Sequence, residues 1–226
     1  MDPVKRPILF VTGTDTGVGK TALTAWLARC LSVTVPGVVA LKPVCTGGRD
    51  DARALQEASG KRLSLDEINP WHFRAPLAPL LAARREQKEL RLAQVLAWIR
   101  SLQKSHPGIL VEGAGGLLTP IGEDFDARNL IVALRATPIV ACANRLGAIN
   151  QTLLVLAALP PALVLRARVV LMSLTRETAV ARSNVVFLQE RLGMDRVHAV
   201  PCSACPSQPD RRAGVAIDGL ARSLGW

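Results

Sequence analysis

Two apolar patterns alternate along the 226-residue chain. Short aliphatic runs at residues 7–12, 37–41, 108–112, 138–144, 168–173 and 198–201 have the continuous apolar character of buried strands. Between them, apolar residues recur at helical spacing over 22–31, 86–105, 125–135, 179–192 and 215–224, and after residue 150 through Leu153, Leu154 and Leu156. The stretch 86–105 is the longest helical pattern and sets Trp98 in the core. Residues 49–56 read as a helix start with Asp50 and Asp51 in its first turn. Residues 42–48, with Pro43 and paired glycines, read as a shaped loop, 68–79 as an ordered loop lining a pocket or the core edge, and 205–214 as loop. The alternation predicts an α/β fold, a mostly parallel sheet with helices on both faces. With no repeat and no linker, one domain over residues 1–226 is expected.

Composition narrows the class. Apolar residues make up 49% of the chain, yet no run reaches the roughly 18 apolar residues of a membrane span. No apolar signal region precedes the first strand, so a soluble cytoplasmic protein is expected. The five scattered cysteines suit a reducing compartment. Cys202 and Cys205 form a lone Cys-x-x-Cys, with His198 the one nearby candidate ligand, which falls short of a zinc site. The net charge of +10 is spread along the chain rather than gathered with aromatics. It reads as a basic surface that attracts anionic nucleotide, not as a nucleic-acid face. His72 reads as a packed or exposed loop residue, since nothing near it in sequence would orient it.

The chemistry begins at Gly13-Thr14-Asp15-Thr16-Gly17-Val18-Gly19-Lys20-Thr21-Ala22, between the first strand and the first helical stretch. Strand, glycine-rich turn, Gly-Lys-Thr and helix is the context of a phosphate-binding loop. Glycines let the backbone amides curl inward toward phosphate oxygens, and the helix N-terminus adds positive partial charge. Lys20 would reach the β/γ-phosphates, and the Thr21 hydroxyl would ligate Mg²⁺. Five residues rather than four separate Gly13 from Gly19. Either Thr14 stands where glycine is usual, or the loop is one residue longer.

Other strand ends point to the same crevice, because ligands of open α/β sheets sit beyond the carboxyl ends of strands. Lys42 follows the second run, and Glu112 ends the third before Gly113-Ala114-Gly115-Gly116. An acid at that place holds or orients Mg²⁺ in phosphate-loop enzymes. Asp51 has two readings, a helix-capping acid or a carboxylate aimed at the metal, and its own stretch does not choose. Residues 145–150 open a second helix whose N-terminus could take an anion.

Together these stretches resemble the dethiobiotin synthetases. The loop at 13–21 has that family's longer spacing; Lys42-Pro43-Val44 with Thr46-Gly47 is similar to its lysine motif, and Asp51-Ala52 with Ala54-Leu55-Gln56 to its acidic helix. Asn69-Pro70 with Phe73 and Pro76 resembles its substrate-side loop, Val111 to Gly116 with Thr119-Pro120 its acidic glycine motif, and Leu146-Gly147 with Ile149-Asn150 its second helix start. The resemblance runs from about Ile8 to Leu156. It implies an ATP- and Mg²⁺-dependent ligase that joins 7,8-diaminononanoate to CO₂ and closes the ureido ring of dethiobiotin, in biotin synthesis. A carbamate forms, is phosphorylated by ATP, and is attacked by the second amine. Implied roles are catalysis for Lys20 and Lys42, and metal ligation for Thr21, Asp51 and Glu112. Nucleotide contacts fall to residues 13–22, Asp51, Glu112, Gly113, Ala114, Gly115, Ser173 and Val200-Pro201-Cys202. Substrate contacts fall to Thr16, Lys42, Thr46 and Gly147-Ala148-Ile149-Asn150, the last group supplied by the partner in a homodimer. Arg145 stands where the family usually has Lys, Gln151 where it often has His, and Ser173 where an Asn commonly meets the base, which loosens the expected base specificity. Lys42→Ala is expected to spare the fold and nearly abolish turnover.

Two other classes share this loop type. A partitioning-type switch ATPase usually carries a second lysine early in the loop, where this chain has Thr14-Asp15-Thr16. A cobalamin-type amidoligase needs a glutaminase domain, for which no length remains.

Overall fold

A computed structural model describes residues 7–175, 178–203 and 208–226. In chain order the elements are β1 (Leu9–Gly13), α1 (Lys20–Thr34), β2 (Val39–Leu41), β3 (Val44–Thr46), α2 (Asp50–Ala58), α3 (Leu65–Ile68), β4 (Trp71–Phe73), α4 (Pro79–Arg85), α5 (Leu92–Leu102) and β5 (Ile109–Glu112). They continue with α6 (Ala127–Leu134), β6 (Thr137–Ala143), α7 (Ala148–Ala158), α8 (Pro161–Arg166), β7 (Arg168–Met172), α9 (Ala179–Leu192), β8 (Val197–Val200) and α10 (Arg211–Ser223).

Among the described residues, six strands form a parallel sheet in the order β2-β5-β1-β6-β7-β8. The chain leaves β1 toward β2 on one side, then returns across β1 from β5 to β6 and onward to β8. With right-handed crossovers, that reversal puts α1 on one face of the sheet and α5 to α9 on the other. The packing agrees: α1 contacts α2 and α10, α5 contacts α6, and α7 contacts α9. The reversal beside β1 is the switch point at which an open α/β sheet forms its crevice. Strands β1, β5 and β6 are wholly buried, which is why they read as continuous apolar runs.

Several expectations change. Residues 42–48 and 68–79 are not only loop: β3 and β4 pair in parallel as a small second sheet, Val44 beside Trp71 and Thr46 beside Phe73. The helix expected over 86–105 is shorter, because Gln87 adopts a left-handed φ of 55° after α4. Glu86 also turns its carboxylate to the backbone amides of Arg74 and Ala75. Trp98 is half-buried, edge-on to Trp71 with centroids 5.5 Å apart. The last helix starts at Arg211, within the expected loop, where Asp210 caps it by accepting from Ala213 N. Helices α3, α4 and α8 had no counterpart in the sequence reading; α3 opens with a Ser64–Glu67 capping box, and α4 and α8 with Pro79 and Pro161 in their first turns. No helix among the described residues is long and apolar enough to cross a membrane. Cys205 lies outside the described residues, so the Cys202–Cys205 pair has no structural account.

Candidate active site

The parallel register aligns three strand ends. Val11 of β1 lies beside Glu112 of β5, and Leu41 of β2 beside Val111. Lys42 therefore stands next to Glu112, and the loop after Gly13 rises beside both. The curl of that loop depends on glycine. A Cβ at Gly13 would meet Asp15 O and Val18 Cγ2 at 2.9 Å, while Gly19, the N-cap of α1, has φ 93°. Lys20 is the first residue of α1, and its Nζ donates to Asp15 O at 2.7 Å.

Lys20, Thr21, Lys42, Asp51 and Glu112 all line one cleft of about 780 Å³. That is ample for a nucleotide-sized ligand. Thr16, Gly17, Gly19, Ala22, Thr46, Ala114 and Gly115 line it too. At its centre Lys42 Nζ bridges Asp51 Oδ2 at 2.8 Å and Glu112 Oε1 at 2.5 Å, and approaches Gly113 O at 3.2 Å. Thr21 Oγ1 donates to the same Glu112 oxygen at 2.9 Å. Lys20, Lys42 and Glu112 are only 7%, 4% and 1% exposed, so these charges act through little water. Asp51 is half exposed at the cleft wall.

The two lysines titrate in opposite directions. Burial lowers the Lys20 pKa to about 8, helped by the neighbouring Lys42 ammonium. Burial also disfavours charge on Lys42, but the Glu112 and Asp51 carboxylates outweigh it and hold this lysine above the ordinary range. Asp51 also loses water, yet Lys42 keeps its pKa below the usual carboxylate value. Burial pushes the Cys45 thiol, on the cleft wall, up to about 11, which leaves it protonated and a poor nucleophile. Phosphates favour protonated Lys20, so the affinity for metal-free ATP should fall about tenfold between pH 7 and pH 9. Calorimetry in two buffers of different ionisation enthalpy would show proton uptake above pH 8; a flat affinity would remove Lys20 from the phosphate site.

Thr21, Asp51 and Glu112 form an all-oxygen donor set, the kind preferred by hard divalent ions. Glu112 Oε2 is buried and has no hydrogen-bond partner among the described residues. A bound cation would satisfy it, so the residues present fit a metal.

Other expected contacts lie outside this cleft. Gly13, Val18 and Gly113 are not on its wall, and Thr14 and Asp15 line another hollow with Leu118 and Leu154. Ser173 follows β7, and Val200 ends β8 with residues 201 and 202 just beyond it, on the same sheet edge, joined by Ser173 N to Val200 O at 2.9 Å. They are one step from the loop, since the Met172 side chain lies 3.2 Å from where a Cβ on Gly19 would be. Gly147, Ala148, Ile149 and Asn150 begin α7 at the end of β6, with Gly147 at φ 92°. They do not line this chain's cleft.

Some wall residues escaped the sequence reading. Val44 and Cys45 of β3 and Thr119, given no site role from sequence, join the wall, while residues 76–79, from the stretch expected to line a pocket or the core edge, close one side. His72, expected to lack an orienting partner, meets Gly47 O through Nε2 at 2.7 Å and so steadies the turn after Thr46. The strand pairing that brings it there was not visible in sequence.

An AAA domain family model matches residues 8–205. An ATP-dependent dethiobiotin synthetase of Anaeromyxobacter dehalogenans is 43% identical over 155 residues, 67% of this chain and 70% of that protein. One from Methanococcus vannielii is 39% identical over 147 residues, covering 65% and 70%. One from Nitrosospira multiformis is 36% identical over 196 residues, covering 85% and 87%. Among solved structures, the MinC:MinD cell division complex of Aquifex aeolicus matches with TM-score 0.64 at 16% identity, over 97% of this chain and 95% of that one. A ParA family ATPase of Chlorobium tepidum matches with TM-score 0.59 at 13% identity, over 96% and 99%. At those identities the likeness is one of fold. With relatives 36% and 43% identical that the chain covers over 87% and 70% of their length, the chain belongs to the family of ATP-dependent dethiobiotin synthetases.

Proposed function

We propose that this cleft binds ATP, Mg²⁺ and 7,8-diaminononanoate, and that the chain joins the diamine to CO₂ and closes the ureido ring of dethiobiotin. The observation that carries the reading is the meeting of Lys20, Lys42 and Glu112 in one cleft. A carbamate and the γ-phosphate are both anions and repel each other unless positive charge lies between them. Two buried ammonium groups supply that charge where little water screens it. Mg²⁺, held by Thr21, Asp51 and Glu112, would neutralise phosphate oxygens and polarise the transferred group. Lys20 holds the β/γ-phosphates over the α1 N-terminus, Thr46 hydrogen-bonds the amine or carbamate end, and Lys42 draws the carbamate oxygen toward phosphorus. Ser173 and residues 200–202 face the nucleotide base.

Gly147-Ala148-Ile149-Asn150 would hold the substrate carboxylate in a partner's site. Leu146, Leu154 and Leu118, at 83%, 61% and 53% exposed, give this side an apolar surface that suits a second copy. Light scattering should return twice the chain mass. A monomer with full turnover would remove the partner's segment from the site.

The test of function is an incubation of purified protein with diaminononanoate, bicarbonate, Mg²⁺ and each nucleoside triphosphate, read by the mass of the product. Dethiobiotin formed with ATP supports the reading. Phosphate release that ignores the diamine would overturn it in favour of a switch ATPase.

A further inference from the structure

We propose that Asn69 is a positioning residue for Lys42, locked in place by Arg49. The inference rests on the reading that Lys42 faces the reacting groups. Lys42 is the first residue past β2, so its peptide groups leave the sheet ladder there. Both go to one short segment instead: Lys42 N donates to Ile68 O at 3.0 Å, and Lys42 O accepts from Asn69 Nδ2 at 2.8 Å. Asn69 Nδ2 also reaches Pro43 O at 3.2 Å. The next residue, proline, brings no amide of its own, which leaves this grip to define how the Lys42 backbone is turned.

The amide of Asn69 can point one way only. Its NH₂ meets carbonyl oxygens, and its Oδ1 accepts from Arg49 Nε at 3.0 Å. Arg49 spends three further donors on the same segment: Leu65 O and Asn69 O at 2.9 Å, and Asp66 at 2.8 Å. Asn69 is 1% exposed, so each of these polar groups must be matched within the protein. Arg49 is also the N-cap residue of α2, the helix that carries Asp51. One guanidinium thereby ties the acid that holds the Lys42 ammonium to the amide that holds the Lys42 backbone.

The test compares variants in two backgrounds. Asn69→Ala should lower kcat by roughly 100-fold, the order expected when a reacting group is misplaced by about 1 Å, and leave KM for ATP within about twofold. In a Lys42→Ala background the same change should alter the rate by less than about twofold, because Asn69 acts through Lys42. An equal loss in both backgrounds would make Asn69 merely structural and overturn the proposal. Asn69→Asp keeps the acceptor for Arg49 and loses both donors, so it should behave like Asn69→Ala; full activity would also overturn the proposal. It carries the comparison should Asn69→Ala not fold. A second readout needs no turnover: the side-chain ammonium resonance of Lys42, assigned by its loss in Lys42→Arg, should shift or broaden in Asn69→Asp. An unchanged resonance would count against positioning even if no dethiobiotin were ever formed, whereas a wild-type protein without product would overturn only the functional reading.

Discussion

Replacing Lys42 by alanine should slow dethiobiotin formation by roughly 30- to 1,000-fold, the equivalent of about 2–4 kcal/mol for a charge-assisted contact in a dry site. The loss should fall on kcat, with ATP affinity little changed, because Lys20 and the loop beneath it are untouched. A second effect was not legible in the chain. Lys42 is 4% exposed and holds the buried Glu112 carboxylate, so removing it leaves a charge without its counter-ion. Breaking such a pair typically costs about 3–5 kcal/mol. The expectation that Lys42→Ala spares the fold is therefore amended: the variant should still fold, but melt on the order of 10 °C lower. Added Mg²⁺ should return part of that loss by replacing the missing positive charge. Calorimetric melting with and without Mg²⁺, beside the rate, checks both halves. A variant with near wild-type turnover would take Lys42 out of the chemistry, and an unchanged melting point would mean that Glu112 finds another partner.

Glu112→Gln should have an effect of similar size for a different reason. The amide keeps the shape and an oxygen for Thr21, but it loses the charge that balances Lys42 and would face a metal. Turnover should fall by about 100-fold or more, and half-maximal rate should need much more Mg²⁺. The melting point should drop less than in Lys42→Ala, because glutamine still accepts hydrogen bonds and Asp51 still neutralises Lys42. An unaltered Mg²⁺ requirement would be the telling result against Glu112 as a ligand, whatever the rate.

These two residues also show how a strand end becomes a site. Neither is near the other in the chain, and neither touches the phosphate loop in sequence. Parallel pairing of β2 with β5 and of β5 with β1 makes them neighbours. Asp51 shows the same thing: in sequence it could be a helix-capping acid or a ligand, and its contact with Lys42 is what brings it into the cleft.

What the sequence by itself determined is local. Residues 13–21 announce a phosphate loop, because glycine, lysine and threonine at those spacings have one common physical use between a strand and a helix. The alternation of aliphatic runs with helical patterns sets the fold class, since buried parallel strands and amphipathic helices carry different periods. Only the tertiary structure decided the rest. Strand order made Lys42, Glu112 and Lys20 converge. The β3–β4 pairing, hidden in short runs whose amides pair across a gap in the chain, turned apparent loops into a cleft wall. The grip of Asn69 and Arg49 on the Lys42 backbone was equally hidden, because a hydrogen bond between residues 27 apart leaves no period and no spacing to read.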